Sequence, residues 1–213
     1  MPGFRIRNGT PADLAALCEI ESRSFAADRL SRRSFRRHIG SASAHLRVAV
    51  TGDGIAGYHL VFTRSGSAIA RLYSIAVAAA VRGQGLGEKL LADAARQAKR
   101  CGAAVLRLEV RPDNAGAIRL YEQHGFARIG NYRQYYADGS DALRYQKQLR
   151  RAGGRAAGAK GSGGDADEDR SPKDSGESRR VMKLSRSAAP PLSGFHWRAC
   201  RAAGLFIRGA ANG

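Results

Sequence analysis

Three glycines at alternate positions, Gly83, Gly85 and Gly87, stand between an alternating run at 70–77 and a helical pattern that puts Leu86, Leu90, Ala94 and Ala98 on one stripe. Strand, glycine-rich turn and helix together can bind phosphate. Glycines let the backbone approach a ligand and take torsions that side chains forbid. The first N–H groups of a helix have no internal partner, and with the helix dipole they favour an anion. A pyrophosphate fits both the donors and the charge. A Rossmann dinucleotide site would need G-x-G-x-x-G, and a P-loop would need Lys followed by Ser or Thr. Lys89 is followed by Leu90. From the glycines alone, a ligand site and a tight turn without a ligand remain equally good readings.

The elements that must position this turn can be read in order. Phe4-Arg5-Ile6-Arg7 alternates as a short strand does. Thr10-Pro11-Ala12-Asp13 reads as a helix start, with Thr10 as cap, Pro11 in the first turn and Asp13 near the positive end of the dipole. Leu14, Leu17, Cys18 and Phe25 supply the buried side. A second short helix follows Ser31, with Leu30, Phe35 and Ile39 inward and Arg29, Arg32, Arg33, Arg36 and Arg37 on its other faces. Runs at 45–50 and 55–63 form a hairpin around Thr51-Gly52-Asp53-Gly54. The strand at 70–78, the loop and helix at 82–101 and a strand at 104–110 come next. A helix then starts at Asp113 or Asn114 and ends at His124, with Gly125 as its left-handed cap. Two strands, 126–136 and 143–149, close the domain around a turn at Ala137-Asp138-Gly139-Ser140. The order βααβββαβαββ predicts an α/β (α+β) mixed sheet with helices on its faces.

After residue 150 the composition turns to Gly, Ala, Arg and Ser with few large apolar residues, so 151–213 reads as a low-complexity, disordered basic tail. The net charge is +18, and residues 1–150 carry 24 basic against 12 acidic side chains. The domain itself is therefore basic, which suits anionic ligands and nonspecific nucleic-acid contact. No nucleic-acid-reading motif appears. Cys18, Cys101 and Cys200 are widely spaced, which argues against a zinc site or a disulfide framework and fits a reducing, cytoplasmic setting. No run suits a signal peptide or a membrane span.

Arg82-x-x-Gly85-x-Gly87, followed by Leu106-Arg107-Leu108-Glu109-Val110-Arg111, Asn114-Ala115-Gly116-Ala117-Ile118-Arg119-Leu120-Tyr121-Glu122 and Gly125-Phe126, resembles the GNAT superfamily of N-acetyltransferases. Glu directly before Val-Arg resembles the RimI-like branch, the N-terminal acetyltransferases of ribosomal protein S18. The resemblance spans roughly residues 4–150. It implies the GNAT fold and acetyl-CoA as co-substrate, with no metal. The implied cofactor-binding set is Ile75, Ala76, Val77, Arg82, Gly83, Gln84, Gly85, Leu86, Gly87, Glu88 and Asn114. Ile75–Val77 would pair through backbone groups with the pantetheine arm, and an N–H near Val77 would face the thioester oxygen.

Glu109, read from the residues alone, is a partner for Arg107, Arg111 or another arginine; the resemblance implies a general base. An α-amine has a pKa of about 7.7–8.0, so a modest base suffices to deprotonate it. Tyr121 reads alone as a packed aromatic with its hydroxyl at the surface. The resemblance implies the acid that reprotonates the thiolate, a feasible transfer between groups of pKa near 10 and about 8.5. Asn114 reads as a helix cap, to which the resemblance adds a CoA contact. Tyr132, Tyr135 and Tyr136 resemble an aromatic border of the acceptor groove, although strand aromatics are more often packing.

The acceptor is expected to be a protein or peptide N-terminal amine. The second helix, which the resemblance places at the acceptor wall, is arginine-rich, so an acidic peptide or an anionic small amine fits its charge better than the basic end of S18. A small-molecule N-acetyltransferase and a non-catalytic basic module on RNA or the ribosome are the alternatives. No His shows metal-ligand spacing.

Overall fold

The computed structural model describes residues 3–25, 29–149 and the backbone of 201–202. The expected tail, 151–213, otherwise lies outside the described residues.

The strands are β1 (Arg5–Asn8), β2 (Ala44–Thr51), β3 (Gly54–Phe62), β4 (Ile69–Val77), β5 (Val105–Val110), β6 (Ala127–Tyr132) and β7 (Ala142–Gln148). They form one sheet in the order β1-β2-β3-β4-β5-β7-β6, and a two-residue strand β8 (Arg201–Ala202) pairs with β4. Helices α1 (Leu14–Ser24) and α2 (Arg32–His38) precede β2, α3 (Leu86–Arg100) follows β4, and α4 (Ala115–Gln123) follows β5. Among the described residues through β7, the expected order βααβββαβαββ holds. All neighbouring pairs on the main path are antiparallel except β4–β5.

Both faces of the sheet are covered. Leu86, Leu90, Leu91, Ala94 and Ala98 of α3 pack with Ala70, Leu72, Leu106 and Leu108 of the sheet. Leu14, Leu17 and Ile20 of α1 and Phe35 of α2 pack with Val48, Tyr58 and Leu60. Central strands buried on both sides lose their polar alternation, as Val48-Ala49 in β2 illustrates. Gly57 of β3 marks a tight approach: a Cβ there would lie 2.7 Å from the Ala76 carbonyl oxygen and 3.1 Å from Leu90 Cδ1.

The start of α1 differs from the expected one. Pro11–Asp13 form a 3₁₀ turn ahead of the α-helix, with Asp13 in the first turn and buried. Its carboxylate accepts both arms of the Arg7 guanidinium at 2.7 Å, as well as the Thr10 N–H and hydroxyl. Thr10 is the N-cap of this turn: it donates to the Asp13 carboxylate, and its carbonyl accepts from the Asp13 N–H at 3.0 Å. The Arg7 fork, aided by Thr10, lowers the Asp13 carboxyl to about 2.

A second buried polar group joins β2, β3 and α3. Asp93 accepts from Arg47 Nε at 2.6 Å and from His59 Nε2 at 2.9 Å. Burial favours a protonated Asp93, but His59 and Arg47 outweigh it and hold the carboxyl far below its ordinary value. Burial pushes His59 down, and its Nδ1 has no partner among the described residues. A histidine whose folded pKa is depressed binds a proton more readily once unfolded, so stability declines as pH falls below about 6.5. His38 and His45 are also lowered and act in the same window. The urea midpoint should therefore fall between pH 7 and pH 5, and by less in His59→Gln. An equal fall in that variant would exclude His59 as a source.

Candidate active site

The phosphate-type turn has the expected backbone. Gly83 and Gly85 have φ of +78° and +76°, a region that disfavours side chains. Gly85 is the N-cap of α3, and the Lys89 N–H donates to the Gly85 carbonyl at 3.2 Å. The N–H groups of Leu86, Gly87 and Glu88 thus lie in the turn whose donors a helix cannot satisfy internally. A Cβ at Gly83 or Gly85 would meet nothing within 4 Å. Torsion rather than crowding requires glycine at both positions. Gln84 and Glu88 are exposed, and Leu86 and Gly87 are buried. Arg82 is half-buried rather than solvated, and its Nε donates to the Val77 carbonyl at 3.2 Å, tying the loop to the end of β4.

Ile75, Ala76 and Val77 are buried at the end of β4, and the edge beside them opens. β4 pairs with β5 only through Ile69, Ala70 and Arg71. On the β3 side, Leu60 is opposite Ser74 and Val61 is opposite Leu72, so Tyr73 is an extra residue on β4. Such a bulge bends a strand and interrupts its ladder. β4 and β5 part just before it, after Arg71, leaving strand edges that can pair with another extended group. Ser74 and Ile75 show this capacity by pairing with Arg201 and Ala202. From the sequence 70–77 reads as a plain strand; the register shift, which opens the cleft, has no signal there.

Behind this edge, buried Glu21 of α1 accepts from Leu30 N–H at 2.5 Å and from the Tyr58 hydroxyl, which also bonds Ser74 Oγ at 2.9 Å. These contacts fix the chain entering α2 against β3 and β4. The sequence alone singles out neither Glu21 nor Tyr58, because the pair is 37 residues apart.

Glu109 lies on the α1–α2 side of β5 and is 6% exposed. Its partner is neither Arg107 nor Arg111 but Arg71 of β4. Arg71 Nε and Nη2 lie 2.8 and 2.7 Å from Glu109 Oε2. Arg71 also donates to the Tyr135 hydroxyl. Arg107 instead bonds Gln146, and Arg111 pairs with Asp113 and Asp138.

The first of the two closing strands is shorter than the expected 126–136. β6 ends at Tyr132, and Gln134 takes φ +48°, which a strand cannot accommodate. Tyr135 and Tyr136 therefore belong to the loop, where both N–H groups donate to the Ser140 carbonyl. Tyr132 and Tyr135 stack at 5.5 Å, and Tyr135 and Tyr136 meet edge-on at 5.3 Å. The three tyrosines form one cluster that reaches Glu109 through Arg71.

Tyr121 is 1% exposed on α4, with its ring 5.7 Å from Phe126, so its hydroxyl is not at the surface. Asn114 caps α4: Oδ1 accepts from the Ala117 N–H at 3.1 Å. On α2, Arg32, Arg33, Arg36 and Arg37 are exposed and have no acidic partner among the described residues. No His, Cys, Asp and Glu cluster suited to a metal occurs among them, and none of their helices is long and apolar enough to cross a membrane.

Comparison with known proteins gives concordant matches. The acetyltransferase (GNAT) family matches residues 14–126. An uncharacterised protein of Mycobacterium leprae is 35% identical over 149 residues, which are 65% of this chain and 39% of that protein. The chain thus spans well under half of that relative. N-α-acetyltransferase RimI of Mycobacterium tuberculosis is 33% identical over 62% of this chain and 85% of its own. The crystal structure of the ribosomal-protein-S18-alanine N-acetyltransferase from Escherichia coli superposes with a TM-score of 0.63 at 30% identity, covering 72% of this chain and 98% of that one.

Proposed function

The chain belongs to the GNAT acetyltransferase family, and on that footing we propose that it transfers acetyl from acetyl-CoA to the N-terminal α-amine of a protein or peptide. The observation that carries this reading is the opened edge of β4, which leads into the Gly83–Gly87 turn on one side and faces Glu109 of β5 on the other. A linear thioester cofactor needs such an arrangement: an extended slot for its arm, anion donors for its phosphates and a carboxylate near the amine.

Residues 1–150 are read as the catalytic domain and 151–213 as an appended tail. The free N–H groups at the start of α3 and the Arg82 cation hold the pyrophosphate, with Gln84 and Glu88 beside it. Ile75, Ala76 and Val77 hold the pantetheine arm through backbone groups, and Asn114 adds a contact from the cap of α4. Glu109, directly or through water, takes a proton from the acceptor ammonium. The neutral nitrogen then attacks the thioester carbonyl, whose electron pair moves onto oxygen. An N–H near Val77 stabilises that oxyanion. Collapse of the intermediate expels the thiolate, which takes its proton from Tyr121. The nitrogen gives up a second proton, which restores Tyr121, and the net release is one proton.

The bacterial relatives are named as an N-α-acetyltransferase and as a ribosomal-protein-S18-alanine N-acetyltransferase. The α-amine is carried over here and the S18 sequence is not. The four arginines of α2, exposed and without an acidic partner among the described residues, repel a basic acceptor and attract an acidic one. A cytoplasmic setting belongs to the same proposal, and the +18 charge suits weak nucleic-acid contact.

Thiol release measured with peptides that differ only in residues 2–5 tests the acceptor class. Acidic residues there should give at least a tenfold higher kcat/KM than basic ones, and the advantage should shrink between about 0.05 and 0.5 M salt as screening sets in. A preference for the basic series would overturn the acidic-acceptor reading, and turnover confined to small amines would replace the peptide reading.

A further inference from the structure

Arg71 is the last residue of β4 that pairs with β5, just before the bulge at Tyr73. Where backbone pairing stops, its side chain closes the gap. Nε and Nη2 lie against the same oxygen of Glu109, Oε2, at 2.8 and 2.7 Å. The other oxygen, Oε1, has no hydrogen-bond partner among the described residues and is not fully shut off from solvent. Arg144, directly opposite Glu109 on β7, does not compete; its guanidinium lies over the Tyr132 ring at 4.4 Å. The same Nη2 also donates to the Tyr135 hydroxyl in the β6–β7 loop.

We propose that Arg71 is a positioning residue for the transfer: it anchors Glu109 by Oε2, leaves Oε1 as the proton-accepting atom, and ties that atom's position to Tyr135 at the acceptor groove. The inference rests on the reading of Glu109 as the base. A carboxylate free to rotate presents either oxygen to the amine and spends part of its time turned away. One N–H donated from Nε, with Nη2 held 2.7 Å from the same oxygen, restricts that freedom, because a planar guanidinium orients a carboxylate as a point charge cannot. A lysine at 71 would keep the charge and lose the fork. Misplacing a catalytic group by about 1 Å costs on the order of 10²-fold in rate.

The ordinary alternative is an ion pair that only braces two strands, and a double-mutant cycle on the full chain separates the two. Arg71→Met and Arg71→Lys should each lower kcat by about 10–100-fold while leaving acetyl-CoA affinity nearly unchanged. In a Glu109→Gln background, either substitution should have almost no further effect on kcat, because its action passes through Glu109. Millimolar guanidinium should restore part of the Arg71→Met activity and none of the Glu109→Gln activity. Losses that multiply in the double variant, or an Arg71→Met enzyme with wild-type kcat, would overturn the proposal.

Folding is controlled within the same set. Arg71→Met leaves a buried carboxylate without its cation, whereas the double variant removes both charges, and Arg71→Lys retains both. If Arg71→Met does not fold, the Arg71→Lys cycle decides. A fully active Glu109→Gln enzyme would remove the reading of Glu109 as base and this inference with it. An impaired Glu109→Gln enzyme beside an unimpaired Arg71→Met enzyme would remove this inference alone.

Discussion

Glu109→Gln lowers kcat by about 10²–10⁴-fold at pH 7, the range typical of losing a general base. Acetyl-CoA affinity stays close to that of the parent, because Glu109 bonds Arg71 and not the phosphate turn or Ile75–Val77. The substitution is close to isosteric, but its chemistry is reversed at the critical atom. Arg71 selects for the amide oxygen at the position of Oε2, which leaves the NH₂ group where Oε1 stood. An acceptor of protons becomes a donor facing an ammonium. The loss shrinks above pH 8, where the α-amine (pKa about 7.7–8.0) is already largely neutral and needs less help. Full activity of this variant across pH 6–9 would sink the base assignment. A thermal scan accompanies the kinetics, because removing one member of a buried pair can cost about 3–5 kcal/mol; the Glu109 side chain is 8% exposed and that of Arg71 16%.

Gly85→Asp weakens acetyl-CoA binding by about 30–10³-fold. Backbone torsion and charge both contribute. Gly85 sits at φ +76°, where Asp is tolerated better than most residues at a cost of about 1 kcal/mol. Charge has the greater effect. A carboxylate at the N-cap faces the phosphates, and each like-charge pair costs about 1–2 kcal/mol at a dielectric between those of water and the protein surface. Two phosphate charges give about 2–4 kcal/mol, at 1.4 kcal/mol per tenfold. The fold has room for the side chain, since a Cβ at Gly85 meets nothing within 4 Å. Gly85→Asn supplies the control: it has the same shape and tolerance of the left-handed region, but no charge. Calorimetric titration should show Asn weakening binding far less than Asp. Equal losses would mean that shape rather than charge governs the turn, and unchanged binding by both would remove the phosphates from this site.

What was legible in the sequence was local. The Gly83–Gly87 turn declares itself within five residues, because left-handed torsions demand glycine and α3 follows at once. The element order followed from apolar periodicity and from the cap at Asn114, which caps α4 as its position suggests. What was not legible lies between strands. Arg71 and Glu109 are 38 residues apart, and Arg71 and Tyr135 are 64 apart. No spacing rule links them, so the arginines adjacent to Glu109 in sequence were the natural candidates. The bulge at Tyr73 and the early end of β6 at Gln134 were invisible for a related reason. Both break a ladder at residues whose types look like ordinary strand. The two features that shape the cleft, its opening and its central ion pair, come from sheet register rather than from composition.

One incubation decides whether the cleft performs acetyl transfer to an α-amine. The full chain, acetyl-CoA and a peptide with one free α-amine, acidic residues behind it and no lysine are combined. Released thiol is counted and the acetyl group is located by mass spectrometry. The expected result is acetyl on the α-nitrogen with one thiol released per acetyl. No thiol release at saturating acetyl-CoA, from this peptide or from any other amine offered, would contradict it.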